Sequence, residues 1–410
     1  MPGSLKESAV DQEVIADVLA RPHTCFAAHV SWEIPKNEGP SGPGYDVRSG
    51  DRQDRMDSFS TVLGPERRLV MYRWWRLVAL PLAILLLLPV VRARAADTVN
   101  VYSIWTDNWN RQLFPEFEKA TGIKVNFVRF SSGEALARLT AEKNNPRVDV
   151  LFGGPTETHA AGIKEGIFEV YKPPSFAVLP ARFKDPEGQW VAIADNPLAF
   201  MSNPKFLKEH NLKPPASWND LLHPAFKNML QMADARTSGT AVTRIFSILE
   251  VYGRDEEKAF DYMKKKRRNV QLYTKSGVGG ILPVALGQAA AGTFFIVDVL
   301  DVQAKGYDVT LSFPREGIGT AGEAIALIKG AKNPEPGKKM IDWATSPAFQ
   351  SLFAKYQINF IPAHPDVKMS ASLTEALKDA KIFPIDLDYA GANRKRIVER
   401  WVNEVLHLKE

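Results

Sequence analysis

The sequence predicts an α/β protein with a mainly parallel sheet, arranged as two lobes. Predicted strands and helices alternate along the chain from residue 97 onward, and this alternation is typical of βαβ units. The chain has 410 residues, of which 45% are hydrophobic and 24% are charged. That length and composition are sufficient for two lobes with separate cores. No period of roughly 20–50 residues repeats, so a solenoid is not expected.

Hydrophobic periodicity and turn residues place the predicted elements in order. The segment VNVYSIW alternates around β-branched and aromatic residues and predicts a strand, and the helix after it ends at Gly122. Ser132 is expected to cap the next helix, which stops near Pro146. The predicted strands are 99–105, 123–130, 148–154, 190–202, 228–233, 294–297 and 323–328. The predicted helices are 110–121, 133–144, 217–222, 240–252, 280–291, 336–344, 348–355 and 393–406.

A continuous apolar run at 77–91 predicts an export signal. The run is shorter than the about 20 residues that a membrane-spanning helix needs. Arg73 and Arg76 precede it and an A-x-A cleavage pattern follows at 93–95, so the charged, apolar and small-residue regions come in secretory order. We expect a signal peptide at 71–95 and a soluble product exported to the periplasm.

Residues 1–70 are expected to be a non-native or disordered extension. They are rich in Gly, Pro, Asp and Arg and have no sustained apolar period. Translation from Met71 would place the signal peptide at the N-terminus, where such signals are read. A genuine disordered leader is the alternative.

Charge and cysteine content exclude several function classes from the main body of the chain. The formal net charge of +5 is mild and does not favour a nucleic-acid partner. The basic run at 264–268 lacks interleaved aromatic residues and is better explained as a solvated face. The one cysteine, Cys25, precedes the export signal, which excludes disulfides, thiolate catalysis and cysteine-based zinc sites after it.

Catalytic motifs do not support an enzyme. The sequence has no G-x-S-x-G elbow, no Walker loop and no G-x-G-x-x-G after the first predicted strand. The seven histidines are scattered and form no HExxH pair. We therefore expect a protein that binds its ligand without converting it, with no cofactor and no resident metal ion.

Polar turns lie where predicted strands pass into helices, at 103–107, 131–134, 153–156 and 236–240, and the last three contain glycine. In open parallel sheets ligands bind at this edge, because helix N-termini present unpaired N–H groups there. The turn RTSGT at 236–240 is the most specific, since a cation, hydroxyls and a glycine before a helix suit an anion. Simple N-capping is the alternative for each turn, and a surface loop is the alternative for a fifth turn at 273–280.

The stretches TGIKVNFV, DARTSGTAVT, FPREGIGT and IDWATSPAFQ occur in this order within 97–405. They resemble bacterial extracytoplasmic solute-binding proteins of ABC importers, close to receptors for ferric iron, thiamine, phosphonates and sugar phosphates. The resemblance implies a type II periplasmic-binding fold, in which two α/β lobes are joined by two hinge strands. Lobe one would comprise 96–192 and 322–370, and lobe two would comprise 193–321 and 371–410. It also implies a monomer that binds a small solute and docks on an ABC permease in the inner membrane.

The same resemblance places the ligand contacts in the turns described above. Arg236 would supply charge, the hydroxyls beside it would donate hydrogen bonds, and Tyr273 would form a stacking or lid surface. Trp105 could stack on the ligand, although it and Trp109 are equally good candidates for the core. The expected ligand-binding residues are Trp105, Thr106, Ser132, Gly133, Gly154, Thr156, Arg236, Thr237, Ser238, Gly239, Thr240, Tyr273, Ser276 and Asp298.

One departure from the resembling family concerns iron. Its iron-binding members hold Fe³⁺ with two adjacent tyrosines, because phenolate oxygen is a hard anionic ligand. The corresponding segment, 292–298, has Phe294 and Phe295, and the chain contains no Tyr-Tyr pair. An anionic organic solute, such as a phosphonate or a sugar phosphate, is therefore the expected ligand. Iron held by other residues, or with a carbonate-like anion at 236–240, is one alternative, and an exported enzyme on the same fold is another.

Overall fold

The computed structural model describes residues 97–408, so the predicted signal peptide and the extension before it lie outside the described residues. The strands are β1 (Thr98–Ser103), β2 (Lys124–Arg129), β3 (Val150–Pro155), β4 (Val191–Ser202), β5 (Leu230–Ala233), β6 (Val270–Thr274), β7 (Ala291–Phe295), β8 (Thr310–Ser312), β9 (Ile318–Leu327), β10 (Ile361–Pro362) and β11 (Ile382–Pro384). The α-helices are α1 (Asp107–Thr121), α2 (Ser132–Glu142), α3 (Thr156–Lys164), α4 (Pro204–Glu209), α5 (Gly239–Val251), α6 (Glu256–Arg267), α7 (Ile281–Ala285), α8 (Ile296–Ala304), α9 (Pro334–Thr345), α10 (Pro347–Gln350), α11 (Leu352–Lys355), α12 (Ala371–Leu377) and α13 (Leu387–Trp401). Short 3₁₀-helices lie at Pro174–Ala177, Ala181–Phe183, Trp218–Leu222, Pro224–Phe226 and Gly277–Gly280, and a π-helical turn, Val402–Leu406, follows α13. Within this part of the chain, no helix is both long and apolar enough to cross a membrane.

The strands form one mixed sheet, so the expectation of a mainly parallel sheet is wrong. Its order is β2-β1-β3-β9-β4-β7-β5-β6, with β8 and β10 paired to β4 and β11 paired to β9. β1 is parallel to β2 and β3, and β5 is parallel to β6 and β7. β9 is antiparallel to β3 and β4, and β4 is antiparallel to β7. Local periodicity does not reveal this, because the direction of pairing depends on partners far along the chain.

β4 connects the two parallel sets of strands. Its first half pairs with β9 from Val191 to Pro197, and its second half pairs with β7 from Leu198 to Ser202. Successive side chains of a strand point to opposite faces of the sheet. Asn196 of β4 and Glu323 of β9 share one face, where the Asn196 amide donates to Glu323 Oε1 at 3.2 Å.

Helix α5 runs through the interior of the protein. Every residue from Gly239 to Leu249 is buried, as expected for a helix with apolar or small residues on most sides. Arg244 is the one charged residue in this buried stretch, and its guanidinium donates to the carbonyl oxygen of Ala233 at 3.0 Å. Because the helix is packed on all sides, the position of its N-terminus relative to the sheet is set by the core.

Several predicted helices have different bounds in the structure. Ser131, and not Ser132, is the N-cap of α2, and the Ser131 amide donates to Glu134 Oε2 at 3.2 Å. The helix predicted at 280–291 is much shorter, since α7 ends at Ala285. Gly287 follows with a φ of 75°, a left-handed conformation that ends helices.

Candidate functional site

A cleft lies where the carboxyl ends of the parallel strands meet. The ends of β1, β2, β3, β6 and β7 and the first turns of α2, α5 and α8 contribute residues to its walls. The cavity volume of the cleft is about 60 Å³, so the cleft is narrow in this conformation. Ligands bind at this edge of α/β sheets because loops and helix N-termini converge there. The predicted contacts that line it are Trp105, Thr106, Ser132, Gly154, Ser238, Gly239, Thr240, Ser276 and Asp298.

One wall of the cleft is rich in hydrogen-bond donors. The first turns of α2 and α5 reach it through Ser132, Gly239 and Thr240. The amides of Gly239 and Thr240 have no acceptor among the described residues, as is usual for the first N–H groups of a helix. The helix dipole places partial positive charge at the same point. This wall is suited to an anion.

Arg129, and not Arg236, is the cation of the cleft. Arg129 is the last residue of β2, lines the cleft, and has no carboxylate within ion-pair distance among the described residues. Arg236 lies outside the lining, because its Nε is 3.1 Å from Asp234 Oδ1 and its second terminal nitrogen is 2.6 Å from Asp234 Oδ2. The sequence did contain a signal for Arg129, which lies two residues before the Ser-rich turn that begins at Ser131, at the end of a parallel strand.

Buried carboxyl groups form another part of the wall. Glu323 is 3% exposed, and its Oε2 accepts hydrogen bonds from the Trp105 indole at 2.8 Å and the Gly154 amide at 2.6 Å. Burial raises the pKa of Glu323, although these hydrogen bonds and the one from Asn196 oppose the rise. Gly154 reaches Glu323 with a φ of 85°, and a Cβ there would lie 2.4 Å from Ile104 Cδ1, so the contact requires glycine. The sequence analysis did not identify Glu323 or Asn196, since nothing local marks them.

Asp298, in the first turn of α8, is the second acidic group of the cleft. Its exposure is 8%, and no described residue donates a hydrogen bond to it. Burial, and then the neighbouring charge of Glu323, raises the pKa of Asp298 to about 8. A buried carboxyl group without a donor is costly. Asp298 is therefore a carboxyl group that can accept a hydrogen bond from a hydroxyl or ammonium group in the cleft and, while protonated, can donate one.

The ring of Trp105 belongs to the aromatic core under the cleft. It is 3% exposed, stacks on Phe360 with ring centroids 4.5 Å apart, and makes an edge contact with Trp109 at 6.3 Å. Its indole N–H is bonded to Glu323. Of the two alternatives for Trp105, the geometry favours the core, from which it positions the Glu323 carboxyl group.

Five predicted contacts lie outside the cleft lining: Gly133, Thr156, Arg236, Thr237 and Tyr273. Gly133 and Thr237 bond to each other, with the Gly133 amide donating to the Thr237 carbonyl at 2.8 Å. Thr156 lines a separate cavity on the opposite face of β4 and β9. Tyr273 is partly buried and packs edge-to-face on Trp401, with ring centroids 5.0 Å apart, so its ring packs against the core.

The segment where tyrosines would be needed for iron, 292–298, contributes a phenyl ring to the cleft. Phe295 lines the cleft and Phe294 is buried at 1% exposure. The described lining contains no tyrosine. Within residues 97–408, no group of three or more His, Cys, Asp or Glu side chains is placed to hold a metal ion.

Known proteins are similar to this chain over most of its length. The family profile described as bacterial extracellular solute-binding protein matches residues 112–384. A Haemophilus influenzae protein is 33% identical over 321 residues, which cover 76% of this chain and 92% of that protein. A Salmonella typhimurium periplasmic protein assigned to 2-aminoethylphosphonate binding is 26% identical over 322 residues, covering 75% of this chain and 92% of that protein.

A solved structure shares the fold as well. The periplasmic binding protein AfuA from Actinobacillus pleuropneumoniae, with exogenous fructose-6-phosphate bound, is similar with a TM-score of 0.72 and 30% identity. The similarity covers 77% of this chain and all of the AfuA chain, at 100%. The type II periplasmic-binding fold implied by the sequence resemblance is therefore confirmed. The chain belongs to the bacterial extracellular solute-binding protein family, whose members are the periplasmic binding components of ABC transporters.

Proposed function

We propose that the protein captures a small organic solute bearing a phosphate or phosphonate group and, as a monomer, presents it to an ABC permease in the inner membrane. The observation that carries this proposal is the composition of one cleft, where Arg129 and two helix N-termini lie with the carboxyl groups of Asp298 and Glu323. AfuA with fructose-6-phosphate and the Salmonella protein assigned to 2-aminoethylphosphonate binding support the same chemistry.

The donor wall suits a phosphoryl group better than a carboxylate. A phosphate monoester carries about −1.5 to −2 charge at neutral pH and three acceptor oxygens. Arg129 can donate two parallel hydrogen bonds to such a group, while the amides at the start of α5 and the hydroxyls of Ser132 and Thr240 supply further donors. A carboxylate has fewer acceptor oxygens and less charge for the same set of donors.

The acidic part of the cleft indicates an organic solute with donors of its own. Inorganic phosphate has no ammonium group and, as the dianion, only one hydroxyl to donate, and it would bring like charge towards Glu323. The hydroxyls of a sugar or the ammonium of an aminoalkylphosphonate would donate to Asp298 and relieve the cost of burying it. Both solute types thus join a phosphoryl end to a donor-bearing end.

Capture would occur by lobe closure about β4 and β9. We place lobe one at 96–192 and 322–370 and lobe two at 193–321 and 371–410, so that both strands cross between the lobes. A solute that touches both lobes favours the closed form only to the extent that it binds that form more tightly. Binding and release would then suffice for transport, with no catalytic step.

The proposal is tested by a thermal-shift and calorimetry screen of the purified protein. Fructose 6-phosphate and 2-aminoethylphosphonate are the principal probes, with fructose, thiamine and Fe³⁺ as comparisons. We expect a phosphorylated probe at 100 times its Kd to stabilise the protein by about 2.7 kcal/mol, visible as a rise in Tm. Fructose should give no shift. Stabilisation by Fe³⁺ alone would refute the organic-anion assignment.

A second prediction distinguishes the roles of Arg129 and Arg236 in binding. Arg129→Ala is expected to weaken binding of the phosphorylated probe by about 10- to 100-fold, because a charged hydrogen bond contributes about 1.5–3 kcal/mol. Arg236→Ala is the matched control and should change Kd less than about threefold, since Arg236 is bound to Asp234 outside the cleft. Calorimetric titration measures both. A larger rise in Kd for Arg236→Ala than for Arg129→Ala would indicate that the anion binds at the turn 236–240 instead.

A further inference from the structure

We propose that Gly133 and Gly239 are positioning residues that let the N-termini of α2 and α5 meet and so bring their donors to one anion. The inference rests on the proposed function, because it concerns how the same phosphoryl group is held. Neither glycine needs a left-handed backbone here. What each lacks is a Cβ, at a point where the two helix starts are in contact.

At Gly133 the contact is between two backbones. A Cβ on Gly133 would lie 2.4 Å from the carbonyl oxygen of Arg236 and 2.9 Å from the Cα of Thr237. Because both are main-chain atoms, they cannot turn aside as a flexible side chain would. The absence of the Cβ is what allows the Gly133 amide to donate to the Thr237 carbonyl at 2.8 Å.

Gly239 makes the reciprocal contact from the start of α5. A Cβ there would lie 2.5 Å from Ser132 Oγ and 2.8 Å from Pro155 Cγ. Ser132 begins α2 and Pro155 ends β3, so both belong to the strand set on the other side of β4 and β9. The two glycines therefore allow the starts of α2 and α5 to touch at two points. We call this contact, between residues 132–133 and 237–239, the junction.

This junction joins segments that the proposed lobes would separate on opening. The Gly133–Thr237 hydrogen bond uses one of the N–H groups that α2 would otherwise offer to a ligand. The same hydrogen bond holds Ser132 beside Gly239 and Thr240, whose donors line the cleft. Lys275 and Glu134 add an ion pair of 2.5 Å next to the junction, but the lysine side chain is 72% exposed, so this pair contributes little.

The test is Gly133→Ala, with Gly391→Ala as the control. A Cβ on Gly391 meets only Ala160 Cβ at 3.5 Å and Lys164 Cε at 3.9 Å, which are ordinary contacts. Gly133→Ala is expected to raise the Kd for fructose 6-phosphate at least about tenfold and to leave the protein, in X-ray scattering, larger than wild type with and without the sugar phosphate. Gly391→Ala should match the wild type in both measurements.

The outcomes separate the inference from the proposed function. If wild type binds neither fructose 6-phosphate nor 2-aminoethylphosphonate, the proposed function fails, and scattering of the ligand-free proteins alone decides about the glycines. Wild-type Kd and dimensions in Gly133→Ala would overturn the inference. Gly239→Ala is the second variant, for use if circular dichroism shows that Gly133→Ala does not fold. Loss of folding in both would also overturn it, because the glycines would then serve folding and not closure.

Discussion

Replacing Glu323 with alanine is expected to lower the free energy of unfolding by about 3–5 kcal/mol. The Trp105 indole, the Gly154 amide and the Asn196 side chain all donate to this carboxyl group. In the variant, these donors would lose their acceptor at a site that is almost closed to water. Urea unfolding with an unchanged m-value measures the loss. Binding of the phosphorylated probe should fall as well, because Gly154 and Asn196 both line the cleft.

Glu323→Gln is the matched control for that prediction. The glutamine carbonyl oxygen can keep the donors from Trp105 and Gly154. Its NH₂ group would face Asn196, whose Oδ1 is buried and has no hydrogen-bond partner in the described structure. A turn of the Asn196 amide would satisfy both groups, so the stability of Glu323→Gln should stay within about 1 kcal/mol of wild type. An equal loss in both variants would show that the negative charge, and not the acceptor, is what stabilises the site.

Asp298→Asn is expected to remove a pH dependence of stability between about pH 4 and pH 8. Burial, then Glu323 and Asp301, raises the pKa of Asp298 to about 8, while Arg129 and Lys305 act in the opposite direction. The folded protein therefore holds a proton that the unfolded chain has already released in this range. Stability contributed by that proton is complete at low pH and falls as pH rises towards 8. The change at this one group is on the order of 2–5 kcal/mol.

Urea unfolding at intervals from pH 5 to pH 9 measures this dependence. Wild type should lose stability as pH rises, whereas Asp298→Asn should lose less and should exceed wild type above about pH 8, since asparagine carries no charge to bury. Asp301→Asn is the control. Asp301 pairs with Lys305 at 2.6 Å and is more exposed, and its charge acts on the pKa of Asp298 less than burial and Glu323 do, so this variant should change the slope much less than Asp298→Asn does. Parallel slopes in wild type and Asp298→Asn would contradict the assignment of the buried proton to Asp298.

Long periodic elements were predictable from the sequence because their signals are local. The helix spacing after β1 and the alternation in VNVYSIW depend on neighbours only a few residues away, and the structure contains both elements. The short strands β8, β10 and β11 and the edge strand β6 escaped prediction. Each is defined by pairing with a distant segment, as in β11, where Ile382 pairs with Ile318. The mixed parallel and antiparallel pairing of the sheet was not predicted, for the same reason.

The candidate site was predictable in its location but not in its chemistry. The turns at strand ends converge on one cleft because parallel strands bring their carboxyl ends to one edge. Which arginine faces that cleft depends on competition for partners. Asp234 holds Arg236 two residues away, while Arg129 at the end of β2 has no carboxylate partner within residues 97–408. Composition favoured Arg236, since the turn RTSGT contains every group an anion site needs.

The sequence by itself determined the family, the alternation of strands and helices, and the edge of the sheet at which the turns collect. These properties follow from local backbone preference and from motifs read in order. Only the tertiary structure decided that Glu323 joins Trp105 across 218 positions of the chain and that Gly133 meets Thr237. Such contacts form when packing brings distant segments together, and the free energy of burying and pairing their polar groups depends on surroundings that no local pattern encodes.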